Sequence, residues 1–276
     1  MKQLTKVEIK EFNEAGYIQF KGLFDTEEIE LLRSTAHADR ELDKNSFSRA
    51  DGEGGKVRLS VWNHPGDTIY GMFARSNRMV NKAEELLEDE VYHYHSKMIL
   101  KDPKIGGAWA WHQDYGYWYQ NGLLYPDLVS VFIAVDKATR QNGCLQVIRG
   151  SHLIGRIDHI LTGDQAGADM ERVNACLERL ELVHCEMEPG DAIFFHSNLL
   201  HRSDQNKSER SRWAMVCCYN TRSNDPYKES HHPAYTPLKK VDDSMIKQLG
   251  SLSFEKGAQT WLDPEKDESA SGLDQG

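Results

Sequence analysis

Up to about residue 90 the apolar positions recur chiefly every three or four residues; beyond it they fall in short alternating or continuous runs. Between Thr5 and Ala15, Ile9 and Phe12 share one face and Gly16 supplies a stop, which predicts a helix. YIQFKGLF then alternates as a strand does, and Asp25-Thr26-Glu27-Glu28 opens a second helix that turns Ile29, Leu32 and Ala36 inward. A further helix is expected over about 68–88, with MVNKAEELLE its most regular part. Residues 43–57, DKNSFSRADGEGGKV, are rich in glycine and charge and read as a surface loop, with a mobile lid as the functional alternative.

From Val91 the runs VYHYHSKMIL, DLVSVFIAV, GCLQVIRG, LELVHCEM, DAIFF and RWAMVCCYN are separated by turn-forming pieces such as DPKIGG, RQNG and EPGD. Several short strands at close spacing predict a β-sandwich or barrel. The stretch from Ile154 to Arg179 is mostly polar and reads as an excursion from the sheet, with a helical piece around Met170 to Leu180. Residues 263–276, DPEKDESASGLDQG, have almost no apolar side chains and are expected to be disordered. One domain over 1–262 is expected, helical to about residue 90 and with a β core over about 91–222; no internal repeat is present.

Composition narrows the partners. A chain of 276 residues that is 39% hydrophobic can bury one sizeable core. Its formal net charge of -10 disfavours the basic footprint that nucleic acid requires. No apolar run is long enough to span a bilayer, and MKQLTKVEIK lacks the apolar centre of a signal peptide, so no membrane partner and a cytoplasmic location are expected. The five cysteines are odd in number and lack a Cys-x-x-Cys spacing, which predicts reduced, mostly buried thiols. Nothing in the chain speaks to oligomeric state.

Candidate chemistry starts in WHQDYGYW. In an extended segment residues i and i+2 point the same way, so His112 and Asp114 can aim an imidazole and a carboxylate at one point. A metal site needs a third donor. His93, His95, His152, His184 and His196 all compete, but His201 follows the apolar Leu199-Leu200, shares its face with Ser203, and stands eleven positions before Arg212. Arg212, Ala214, Val216 and Cys218 share one side of the next strand, which leaves room beside a guanidinium. Two histidines and a carboxylate with open positions are the ligand set of non-haem Fe(II) oxygenases, and an arginine beside a hydroxyl suits a carboxylate.

The ordered set His112-x-Asp114, NGCLQVIRGSH at Asn142 to His152, PGD at Pro189 to Asp191, and His201-x-Ser203 with Arg212 resembles the phytanoyl-CoA dioxygenase family, Fe(II)- and 2-oxoglutarate-dependent oxygenases, over about residues 5–219. The resemblance implies a mainly β fold with flanking helices, a double-stranded β-helix or jelly roll of cupin-like type. It implies iron ligation by His112, Asp114 and His201, and Arg212 with Ser203 on the distal carboxylate of 2-oxoglutarate. Trp118 matches a tryptophan lining the co-substrate pocket in the related ectoine hydroxylases, His95 stands where those carry a glutamine, and Lys56 and Lys97 lie near positions that contact the co-substrate in some relatives. O2 is the third reactant. Related halogenases lack the carboxylate, so Asp114 implies hydroxylation.

The substrate expected is a small metabolite. Trp109, Trp111, Tyr115, Tyr117, Trp118 and Tyr119 offer cation–π surface for an ammonium, while Lys56, Arg58 and Arg156 are candidate anchors for an anionic group. An acyl-CoA hydroxylase, a non-catalytic 2-oxoglutarate or metal-binding module, and a Zn or Mn cupin are the alternatives.

Overall fold

Helix starts in this chain are set by side chains that close their own first turn. Thr5 caps α1 (Lys6–Ala15) by accepting the Glu8 N–H while the Glu8 carboxylate accepts the Thr5 N–H, and Gly16 ends the helix at φ 80°. After β1 (Tyr17–Phe20), Asp25 and Glu28 repeat the arrangement at α2 (Thr26–Ala38). Such caps contribute about 1 kcal/mol each. The structure, a computed structural model, describes residues 3–250 and 261–266.

A short α3 (Arg40–Lys44) leads into β2 (Phe47–Ala50) and β3 (Lys56–Trp62). These strands correct the reading of residues 43–57 as a loop: they form a hairpin. The Asp51 carboxylate accepts the N–H groups of Glu53, Gly55 and Ala108, so the turn is fastened to the molecule rather than built as a loose flap. The single helix expected over 68–88 is two, α4 (Ile69–Arg75) and α5 (Asn77–Leu87), because Ser76 takes an extended ψ of 141° between them.

The remaining elements are β4 (Val91–Lys101), β5 (Trp109–His112), α6 (Asp114–Trp118), β6 (Leu128–Ala134), β7 (Leu145–Ile148), β8 (His159–Thr162), β9 (Gln165–Ala168), α7 (Met170–Leu177), β10 (Leu182–Cys185), β11 (Ala192–His196), β12 (His201–Ser203), β13 (Arg212–Thr221) and α8 (Met245–Gly250). The excursion 154–179 thus carries the expected helix and also a hairpin, β8–β9, that its polar pattern concealed. The tail expected to be disordered is described only to residue 266, with a 3-10 turn at Pro264–Lys266; residues 267–276 lie outside the described residues.

Seven strands pair antiparallel in the order β1-β11-β6-β13-β4-β3-β2, and four more in the order β10-β7-β12-β5, the two facing sheets of a jelly roll. Strand alternation divides each inner strand between two cores. On β13, Trp213, Met215, Cys217 and Tyr219 face a helical layer with Phe12, Ile29, Leu32 and Phe73, while Ala214, Val216 and Cys218 face the space between the sheets with Phe132, Leu145 and Phe195. All five cysteines are free and buried.

One bulge matters for the site. On β4, His95 pairs with Cys218 and His93 with Tyr219, leaving Tyr94 as the extra residue. Even-numbered Tyr92 and Tyr94 face the inter-sheet core before it, and odd-numbered His95, Lys97 and Ile99 face the cavity after it.

Candidate active site

β5 and β12 are neighbours in the smaller sheet, and His112 and His201 are direct register partners across them. Their rings lie 4.0 Å apart, centre to centre. Each ring is oriented in the same way: Nδ1 of His112 lies 2.8 Å from the Ala110 carbonyl and Nδ1 of His201 lies 2.9 Å from the Leu199 carbonyl. With Nδ1–H donating to a carbonyl two residues upstream, each Nε2 keeps its lone pair for a cation. Burial, and then the neighbouring His112, push the His201 pKa down to about 3, so its imidazole stays neutral at ordinary pH.

Asp114 reaches the same point by a route that differs from the alternation expected for WHQDYGYW. The strand ends at His112 and Asp114 is the first residue of α6. The intervening Gln113 is pinned: its side-chain amide donates to the carbonyls of Gly155 and Asn198 and accepts the Ile157 N–H, and its backbone N–H donates to His159. Gly116 has no room for a Cβ, which would lie 1.9 Å from the His159 ring. Asp114 Oδ1 is 3.6 Å from Nε2 of His112 and 3.8 Å from Nε2 of His201. Burial alone would raise the Asp114 pKa, but the His201 and His112 imidazoles and the Lys97 ammonium hold it well below the usual carboxylate range.

Two further residues hold that carboxylate, one of them, Ser130, unnoticed in the sequence. Ser130 on β6 donates its hydroxyl to Oδ2 at 2.6 Å, and Tyr117 donates its hydroxyl to Oδ1 at 2.8 Å. Tyr117, expected to touch substrate, therefore braces a ligand as well as lining a chamber. One ligand atom from each of His112, Asp114 and His201 lies within 4.8 Å of the others, the one such group among the described residues. Two nitrogens and a carboxylate oxygen on one face fit Fe(II) and leave positions for other ligands.

The triad opens onto an inner chamber closed at its far end by Arg212 and Ser203 and walled by Val57, Ile99, Leu145 and Val216. Arg212 is 2% exposed, yet its Nε and Nη1 find no hydrogen-bond partner among the described residues. Burial lowers its pKa to about 10, which leaves it cationic. A guanidinium in that state wants a carboxylate, and the apolar walls suit a short methylene chain. Lys101, also missed in the sequence, donates to the Ser203 hydroxyl at 2.8 Å and to the Asp204 carbonyl. Burial and the adjacent Arg212 push its pKa well down.

An outer chamber lies on the Tyr117 side of the triad. Trp118, His95, His232, Trp109 and Leu262 line it, and Lys97 lines both chambers. Trp118 and His95 thus stand in the outer chamber and not beside Arg212. Their Nε1 and Nδ1 are buried without partners. His232 stacks on His95 at 4.6 Å, and Leu262, bonded through its N–H to the Val61 carbonyl, covers one edge. Neither had any motif to betray it.

Several expected substrate contacts are corrected. Lys56 and Arg58 occupy the wrong face of β3: alternation sends Val57, Leu59 and Val61 into the chambers and turns Lys56 and Arg58 to an outside groove, where Arg58 pairs with Asp43 and Asp102. Tyr115 is buried in the core with its hydroxyl on the Leu123 carbonyl. Trp111 packs with Ile148 and Leu200 in a separate cluster, and Arg156, paired with Asp158, sits over the exposed Tyr119 ring.

Residues 12–214 match the family model described as Phytanoyl-CoA dioxygenase (PhyH). The chain is 32% identical over 197 residues to the L-proline trans-4-hydroxylase of Streptomyces griseoviridis, covering 66% of this chain and 72% of that protein. It is 28% identical over 229 residues to the ectoine dioxygenase of Sphingopyxis alaskensis, covering 77% and 74%, and 33% identical over 154 residues to a phytanoyl-CoA dioxygenase of Arabidopsis thaliana, covering 55% and 52%. Its fold is similar to that of EctD from S. alaskensis, solved with 2-oxoglutarate and 5-hydroxyectoine, at a TM-score of 0.73 and 23% identity over 87% of this chain and 89% of that one. No helix among the described residues is long and apolar enough to cross a membrane.

Proposed function

The chain belongs to the phytanoyl-CoA dioxygenase family of non-haem iron, 2-oxoglutarate-dependent dioxygenases, and on that premise we propose that it hydroxylates an unactivated C–H bond of a small, charged metabolite seated in the outer chamber. The observation that carries this reading is the pairing of the converging triad with a buried, unpartnered Arg212 at the end of the same chamber. His112, Asp114 and His201 hold the metal; Arg212 and Ser203 hold the distal carboxylate of 2-oxoglutarate. Bound Fe(II), with 2-oxoglutarate and O2, supplies the oxidising chemistry, in which 2-oxoglutarate leaves as succinate and CO2 and one oxygen atom becomes the new hydroxyl.

The chain's own residues do the positioning. Carbonyls behind His112 and His201 set their tautomers, and Ser130 and Tyr117 keep the Asp114 carboxylate turned to the metal. The apolar walls of the inner chamber exclude water from the reacting centre. Similarity to a proline hydroxylase and an ectoine dioxygenase favours an amino acid or a related zwitterion over an acyl-CoA. Five buried, free thiols accord with a cytoplasmic location.

The test is succinate release by the Fe(II)-loaded protein across amino acids, cyclic amino acids, betaines and acyl-CoAs. Release coupled one to one with a hydroxylated small zwitterion is expected. Coupled release with an acyl-CoA alone, or tight 2-oxoglutarate binding with no turnover on any class, overturns the reading.

A further inference from the structure

We propose that Lys97 selects the substrate by its anionic group: the outer chamber takes a small metabolite with a free carboxylate, held by the Lys97 ammonium beside the metal ligands. The inference rests on the dioxygenase reading above and adds a residue and a chemical class to it.

Lys97 is 9% exposed, and no hydrogen bond or ion pair reaches its ammonium among the described residues; the Trp109 ring stands 5.7 Å from the nitrogen to the ring centre, and the Asp114 carboxylate acts on it only through space. An unpaired buried charge is costly, and this chain elsewhere avoids the cost. Arg78 is paired with Glu28 and Asp243, Arg75 with Asp67, and Lys101 has a hydroxyl and a carbonyl. Arg212 and Lys97 are the exceptions, and they stand at different places in one connected space. Arg212 closes the inner chamber, where 2-oxoglutarate satisfies it. Lys97 lies where the two chambers join, deeper than Arg49, which bonds the Asp164 carbonyl on the outer chamber's lining.

The rest of the outer chamber suits the remainder of such a molecule. His95 and His232 stack face to face at 4.6 Å, and with Trp118 they provide flat, uncharged walls for a small ring or an alkylammonium. Burial holds both imidazoles well below their ordinary pKa, so neither competes with Lys97 for the anion. The exposed Asp164 carboxylate lines the same chamber on its solvent side. A zwitterion therefore fits acid first, with its carboxylate on Lys97 and its ammonium towards the aromatic walls and Asp164. The β4 bulge at Tyr94 is what puts Lys97 here, since an unbroken alternation from Tyr92 would turn it to the helical layer.

The experiment uses the full chain loaded with Mn(II) and 2-oxoglutarate, titrated calorimetrically with L-proline, L-pipecolate, glycine betaine and ectoine, each against its carboxamide. At least one carboxylate is expected to bind about 30-fold or more tightly than its amide. Lys97→Met weakens that binding about 30-fold or more, as loss of one partner of a buried charge pair does. Lys97→Arg retains most of it, and the 2-oxoglutarate Kd of Lys97→Met moves less than about threefold, a bound the inference itself sets. Amides that bind as well as carboxylates, no carboxylate binding at all, or a Lys97→Met defect confined to 2-oxoglutarate overturns the inference and leaves the dioxygenase reading standing. Failure of the wild-type protein to bind 2-oxoglutarate overturns both.

Discussion

His112 and His201 are register partners on adjacent antiparallel strands, each held by its own backbone two residues upstream. The metal face is thus part of a β-ladder, and its geometry is as rigid as the smaller sheet. Replacing either histidine by alanine is expected to reduce bound Fe(II) or Mn(II) from about one equivalent to under about a tenth, because two donors do not hold such a metal in water. Metal analysis after gel filtration checks this, and an unchanged thermal melt of the metal-free variants separates ligand loss from unfolding.

Asp114 is predicted to depend on its two hydroxyl donors. Ser130→Ala and Tyr117→Phe should each weaken metal binding by about 10- to 100-fold, the usual cost of losing a partner behind a ligand. Because both donors act on one carboxylate, their effects should be less than additive in a double-mutant cycle read by Mn(II) titration.

Arg212→Ala should raise the 2-oxoglutarate Kd about 100-fold, from the loss of a bidentate, charge-assisted contact. Its ligand-free form should be no less stable than wild type, since the guanidinium has partnerless nitrogens in the free protein. A Zn or Mn cupin that makes no use of 2-oxoglutarate would show little change in that Kd.

Gly116→Ala should drive a methyl group into the His159 ring, 1.9 Å from where it would stand, and shift the turn that carries Asp114. Metal affinity is expected to fall at least about tenfold. His159→Ala in the same chain should restore part of it by opening the space, although it removes the acceptor for the Gln113 N–H.

The pH dependence follows from buried neutral imidazoles. Burial lowers His93 to about 3 and His159 and His196 to about 4. An unfolded histidine titrates near 6.5, so between that pH and about 4 the unfolded chain binds more protons than the folded one. Stability is therefore full above about pH 6.5 and falls as pH drops, by up to about 1.4 kcal/mol per pH unit for each such histidine. Asp114 acts in the same direction at lower pH, its contribution being lost as its depressed pKa is approached. Urea midpoints of the metal-free protein from pH 8 to 5 test this; a flat profile would contradict the burial of these rings.

The chain's own pattern was enough for whatever depends on neighbours in sequence. The caps at Thr5 and Asp25, the inward face Arg212, Ala214, Val216 and Cys218, and the trio His112, Asp114 and His201 that converges in the fold could all be read there, because caps, alternation and an ordered motif are local. Tertiary structure decided what depends on strand pairing. The glycine-rich run 43–57 became a hairpin because β4 offered it an edge and Asp51 tied its turn to Ala108. The face of β3 that enters the chambers was set by its register with β4, which excluded Lys56 and Arg58. The bulge at Tyr94 reversed the alternation and turned Lys97 inward, and Ser130, Lys101 and His232 stand 16, 102 and 137 positions along the chain from Asp114, Ser203 and His95, the site residues they touch, with no trace of the meeting in the local pattern. Register and bulges are properties of paired strands, and a single strand's sequence does not contain its partner.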